Sequence, residues 1–125
     1  NFRAGDYGFF GKIDRINQLG DGVEIIDYKT VFGKAKDKLG ENEKKQLLTY
    51  QIAAESLGLK VENLAIYYLG ENLKKISFKV GEDEISVARK SLISRIEEIQ
   101  KSDFLPNSGY HCKYCDFRNI CEHRV

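Results

Sequence analysis

Val23-Glu24-Ile25-Ile26-Asp27-Tyr28-Lys29-Thr30 is the stretch on which the fold turns. It is rich in β-branched and aromatic residues and reads as a strand, and the turn Gly20-Asp21-Gly22 joins it in a hairpin to a first strand within Gly8–Leu19, GFFGKIDRINQL. Side chains alternate along a strand, so Val23, Ile25, Asp27 and Lys29 share one face, and Glu24, Ile26, Tyr28 and Thr30 share the other. Asp27 and Lys29 therefore point the same way.

Working outward, the stretch Val31–Lys45 is Lys-rich and punctuated by glycine, and it reads as a mobile loop. NEKKQLLTYQIAAESLG then places Leu47, Tyr50, Ala54 and Leu57 near helical period, with acids ahead of the first turn and Gly58 as a stop. LAIYYL and KKISFKV, separated by Gly70-Glu71-Asn72, read as two more strands. From Asp83 to Lys101 a stripe of Ile85, Ala88, Leu92, Ile96 and Ile99 predicts a second helix. The sole proline, Pro106, marks the change to a cysteine-containing tail. The expectation is an α/β domain: a mixed central β-sheet built from the two hairpins, flanked by the two helices, with a core at residues 1–105 and a tail at 106–125.

Composition bounds the function. At 125 residues, 42% hydrophobic and 31% charged, the chain suits one globular domain, and it has no apolar run near the roughly 18 residues of a membrane span. Twenty Lys and Arg against 19 acids give no global signature of a nucleic-acid binder, so any such reading must come from local pattern. The chain opens on Asn1 and contains no Met, which reads as a fragment of a longer protein. The three Cys all fall in the last fourteen residues, closer to metal-ligand spacing than to a disulfide framework, and favour a reducing, intracellular setting.

Asp14 ends the run GKID on one strand of the hairpin, and Asp27-x-Lys29 lies on its partner. Two carboxylates and an ammonium are costly to gather without purpose. Hard oxygen ligands suit Mg²⁺ or Mn²⁺, with the Tyr28 backbone carbonyl as a further donor, and such an ion can polarise a phosphodiester and acidify water. Taken alone, Asp-x-Lys on a strand is a solvated surface pair; here both acids close apolar runs, which surface decoration does not explain. On the first helix Gln46 and Tyr50 stand four apart on one face and can orient Lys29, a phosphate or a base.

GKIDRI, EIIDYKT and QLLTYQIA, in this order and at these separations, together resemble the RecB-type branch of the PD-(D/E)XK nuclease superfamily, which includes RecB- and AddB-like helicase-nucleases and CRISPR-associated RecB-like exonucleases. The resemblance covers nearly the whole chain. It implies a restriction-endonuclease-like fold, Asp14 and Asp27 as metal-binding acids, Lys29 as the catalytic lysine, and Gln46 and Tyr50 as the Gln-x-x-x-Tyr element that binds DNA and places that lysine. It further implies Mg²⁺- or Mn²⁺-dependent hydrolysis of DNA ends or single strands in repair or recombination, fusion to or association with a helicase, and a cytoplasmic location with the nucleoid. The family's preceding helix, with its further His or Glu for the metal site, has no counterpart after Asn1.

The tail GYHCKYCDFRNIC, with Cys112, Cys115 and Cys121, resembles the C-terminal part of the iron–sulfur staple of the same branch, whose remaining Cys lies upstream of the nuclease core. These residues alone do not complete a Cys₄ site for a 4Fe-4S cluster. A zinc site using His111 or His123, free thiols, and a small buried Cys121 are the other readings. Lys34 and Lys36, beside the site, suit phosphate contacts, with a solvated loop as the plain alternative. Lys113, Arg118 and Arg124 extend a basic rim if the tail folds back, whereas Arg15 is structural. The rival functions are a catalytically inactive nuclease-like module that binds DNA or supports a helicase, disfavoured by the intact Asp14, Asp27, Lys29, Gln46 and Tyr50, and a small metal-binding interaction domain centred on the tail.

Overall fold

The strand Gly22–Thr30 is buried continuously from Gly22 to Asp27, as a strand at the centre of a sheet must be. The computed structural model describes every residue except Lys34, whose expected phosphate contact thus lies outside the described residues. In chain order the elements are β1 (Phe2–Ala4), β2 (Tyr7–Phe9), β3 (Arg15–Leu19), β4 (Gly22–Thr30), α1 (Glu41–Ser56), β5 (Val61–Leu69), β6 (Lys74–Phe78) and α2 (Glu82–Lys101), followed by a 3₁₀ turn at Tyr110–Tyr114.

Four strands form one mixed sheet in the order β3-β4-β5-β6, in which β4 and β5 are parallel and the two outer pairs antiparallel. β3 and β4 are joined by the two-residue loop Gly20-Asp21, whose first residue takes φ +58°, a conformation glycine adopts at no steric cost. Helix α1 is the crossover between the parallel strands. It ends where the left-handed Gly58, φ +82°, lets its own N–H reach the Glu55 carbonyl and that of Leu59 reach the Ala54 carbonyl.

Ile25 of β4, Leu64, Ile66 and Tyr68 of β5, Leu47, Leu48, Ile52 and Ala54 of α1, and Ile85 of α2 make one buried cluster. Both helices thus serve the same sheet face, with α1 against β4 and β5 and α2 against α1 and β1. The α2 stripe is buried at Ile85, half-buried at Ala88, Leu92 and Ile96, and exposed at Ile99. The opposite sheet face carries Glu24, Ile26, Tyr28, Asn63, Ala65, Tyr67 and Lys75.

The expected first strand, Gly8–Leu19, is two. Tyr7–Phe9 pairs with Phe2–Ala4 in a separate small hairpin, with Phe2 and Phe9 stacked at 4.9 Å, and Phe10–Asp14 is irregular before the main ladder begins at Arg15. Gly8 and Gly11 weaken a continuous strand there. Arg15, expected to be structural, bonds Asn17 at 2.7 Å from the exposed edge.

Candidate active site

Asp27 and Lys29 lie on the helix-covered face near the end of β4, beside their β5 register partners Ile66 and Tyr68, both fully buried. Asp27 is 3% exposed, whereas the Lys29 side chain keeps about a third of its surface in solvent. The pair therefore has an apolar floor and an open top.

The Lys29 ammonium sits 2.8 Å from Asp27 Oδ2 and donates to Gln46 Oε1, also at 2.8 Å. Gln46 Nε2 in turn donates to the Tyr50 hydroxyl at 2.8 Å. The amide thus faces the cation with its oxygen and the phenol with its NH₂, which leaves the Tyr50 proton free to be given away. Although the ammonium is close to Asp27 Oδ2, the approach lacks hydrogen-bond geometry, and this oxygen is a buried polar atom without a hydrogen-bond partner. Buried carboxylate oxygens are rarely left so, and an acceptor in that state is open to a cation.

Asp14 differs from its expected setting. It is exposed, it precedes β3 instead of ending a buried run, and its Oδ2 accepts the Tyr28 N–H at 3.0 Å. The carboxylate takes a main-chain donor that a further rung of the β3–β4 ladder would have engaged. Because Arg15 pairs with Ile26, that rung would set Ile13 opposite Tyr28, with Asp14 opposite Asp27 just before it. Asp14 is thus held at the Tyr28 N–H, one residue along β4 from the buried Asp27, and the hard oxygens of the two carboxylates and of the Tyr28 carbonyl are the donor type that a divalent Mg²⁺- or Mn²⁺-type ion takes.

Sequence reasoning missed two residues beside this chain. Glu43 accepts the Gly40 N–H at 2.7 Å and the Tyr68 hydroxyl at 2.8 Å, and pairs with Lys36 at 3.2 Å. Burial pushes the Glu43 carboxyl up, but the Gly40 N–H, the Tyr68 hydroxyl and Lys36 together outweigh it and hold it below its ordinary value. Burial first, and Glu43 second, push the Tyr68 phenol up to about 12. The available signal was the i, i+3 spacing of Glu43 and Gln46, with Tyr68 in the same parity class as the core of β5. Lys36, expected at phosphates, is engaged with Glu43 through an exposed side chain.

The tail stands apart. Cys112, Cys115 and Cys121 are free and half-buried, and the hydrogen bonds described for residues 107–125 stay within that segment. His111 bonds the Asn107 carbonyl at 2.7 Å, while Arg118 and Arg124 bond the carbonyls of Lys113 and Arg118. Among the described residues no three His, Cys, Asp or Glu converge as a ligand set, so this conformation fits neither a complete iron–sulfur cluster nor a Cys₃His zinc site. No helix among the described residues is long and apolar enough to cross a membrane.

A hairpin that gathers two carboxylates and a lysine, closed by a crossover helix that carries Gln and Tyr, defines a class. The chain belongs to the PD-(D/E)XK nuclease superfamily, whose model matches residues 2–122. Among particular relatives it is similar to an ATP-dependent helicase/nuclease subunit of Ligilactobacillus salivarius (strain UCC118), 47% identical over 60 residues, which are 47% of this chain and 5% of that protein. It is also similar to the mitochondrial exonuclease V of Vanderwaltozyma polyspora, 37% identical over 67 residues, or 49% of this chain and 12% of that one. Both suit the RecB-type branch. The matches thus span only a small part of the curated relatives' length. The crystal structure of SSO0001 shares the fold, with a TM-score of 0.53 at 20% identity over 90% of this chain and 50% of that one.

Proposed function

We propose that this chain is the nuclease domain of a larger end-processing nuclease or helicase-nuclease, which hydrolyses phosphodiester bonds of single-stranded or end-bearing DNA in repair or recombination. The observation that carries the reading is the buried Asp27 carboxylate, with one oxygen lacking a hydrogen-bond partner and an ammonium 2.8 Å away. Relatives named as an exonuclease and as part of a helicase/nuclease support the same class. Residues 1–105 form the catalytic core and 106–125 a separate tail. In the parent protein a cysteine from outside this chain would be needed for Cys112, Cys115 and Cys121 to hold a cluster.

Asp14, Asp27 and the Tyr28 carbonyl would hold an Mg²⁺ or Mn²⁺ ion. Such an ion supplies Lewis-acid polarisation of the phosphodiester and acidifies water at neutral pH. The chain's own residues do the rest. Lys29, fixed between Asp27 and Gln46, presents its charge to the anion that develops at phosphorus, and the apolar floor of Ile66 and Tyr68 strengthens that field. Tyr50, whose oxygen already accepts from Gln46, directs its proton to a phosphate oxygen. Lys34 and Lys36 steer the strand by point charge.

Cleavage of single-stranded DNA by the full-length parent protein, with Mg²⁺ or Mn²⁺ supplied, tests this reading. Asp27→Ala and Lys29→Ala should each slow cleavage on the order of 10²- to 10³-fold or more. Cutting at the parental rate by both variants overturns it.

A further inference from the structure

Lys29 is held by Gln46, and what fixes Gln46 lies one helical turn earlier. Lys29 and Tyr68 are register partners across the parallel β4–β5 ladder, so they stand side by side on the helix-covered face. Each reaches for α1: Lys29 donates to Gln46 and Tyr68 donates to Glu43, both at 2.8 Å. Glu43 and Gln46 are three residues apart, which puts them on one side of the helix about 4.5 Å apart along its axis. Apolar packing sets which face of the helix meets the sheet, and one directional contact beyond it leaves small rotations open. Two, from adjacent strands to successive turns, fix both its roll and its height.

We infer that Glu43 and Tyr68 are positioning residues of the active site, whose hydrogen bond fixes the rotation of α1 and so the aim of Gln46 at Lys29. The inference rests on reading Lys29 as the catalytic lysine. Stability alone does not call for such a pair. Leu47, Leu48 and Ile52 already bury the apolar side of α1, and a carboxylate against a fully buried phenol adds desolvation cost together with direction. Glu43 also draws in the loop before α1, through the Gly40 N–H and the Lys36 ammonium, so loop, helix and strand meet at a single carboxylate. The contact persists across neutral pH, because Glu43 is kept ionised and Tyr68, at about 12, stays protonated.

The test uses the full-length parent protein, single-stranded DNA and saturating Mg²⁺ or Mn²⁺. Tyr68→Phe, Glu43→Ala and Glu43→Gln are each measured alone and on a Gln46→Ala background, with thermal unfolding of every variant. Tyr68→Phe and Glu43→Ala should each lower kcat about ten-fold with KM within about two-fold, the scale of a small misplacement at a reacting centre. Glu43→Gln, which keeps an oxygen for the phenol, should retain most of the rate. On the Gln46→Ala background neither Tyr68→Phe nor Glu43→Ala should lower kcat further, because the residue they act through is gone. Parental kcat in Tyr68→Phe, or a loss that multiplies undiminished on Gln46→Ala, overturns the inference while leaving Asp27→Ala and Lys29→Ala inactive. Should those two variants cut normally, the reading of Lys29 fails and this inference with it.

Discussion

β4 carries two buried carboxylates three residues apart, one on each face of the sheet, each with a lysine at nearly the same distance. Asp27 has Lys29 at 2.8 Å, and Glu24 has Lys75 at 2.6 Å. They are almost equally buried, at 3% and 8% exposure. The difference is in satisfaction. Glu24 Oε1 accepts hydrogen bonds from both Asn63 and Lys75 at 2.6 Å, and the Lys75 ammonium also lies 5.4 Å over the Tyr67 ring. Asp27 Oδ2 has a cation nearby and no hydrogen bond. A satisfied buried pair belongs to the architecture, whereas an unsatisfied one is open to a ligand. Charge and burial alone would not have separated the two.

The sharpest way to break this contrast is cleavage by the full-length parent protein. Asp27→Ala should lose on the order of 10²- to 10³-fold or more in rate, while Glu24→Ala should stay within about two-fold of the parent. Comparable losses in both would show that satisfaction does not mark the functional acid. Stability without divalent ions should run the other way. Glu24→Ala strands the Lys75 and Asn63 donors and should cost about 1–3 kcal/mol in urea unfolding, toward the lower end because Lys75 is a third exposed. Asp27→Asn removes a buried charge that lacks a full set of partners and should be neutral or stabilising. A larger stability loss from Asp27→Asn than from Glu24→Ala would reverse the assignment.

How much of this contrast the sequence could reveal follows from where each partner lies in the chain. β4 and its parity were legible because β-branched residues dominate the run up to Asp27, interrupted only by Glu24, and Lys29 is two residues on. The Gln46–Tyr50 pair was legible because helical spacing brings i and i+4 together. Glu24 was not, since its partners Asn63 and Lys75 are 39 and 51 residues away and only the β4–β5–β6 register brings them near. Tyr68 was hidden for the same reason: inside LAIYYL it reads as another core aromatic, and only the parallel ladder sets it beside Lys29. The small hairpin was missed because three-residue strands set no periodicity, so Tyr7–Phe9 merged with the strand that follows. Asp14 was placed on the correct hairpin end with the wrong exposure, because a carboxylate can end a ladder by taking its N–H from outside the strand.

The smallest effect separates the faces by pH. Burial pushes the Glu24 carboxyl up, but hydrogen bonds from Lys75 and Asn63, the charge of Lys75 and a contact from Asn17 outweigh this and hold it below its ordinary value of 4.5. A carboxyl lowered on folding contributes stability that is fully present above 4.5 and is lost as pH falls through the lowered value, where the native state must take up the proton. Glu24→Gln has no such proton to bind. The stability gap between the parent and Glu24→Gln should therefore be flat from neutral pH down to about 4.5 and close below it, by under about 1 kcal/mol because the cation is partly solvated. Urea midpoints of both proteins across that range measure it. A gap that widens on acidification would mean that Glu24 is not held ionised by its partners, and the distinction between the two acids of β4 would lose its physical basis.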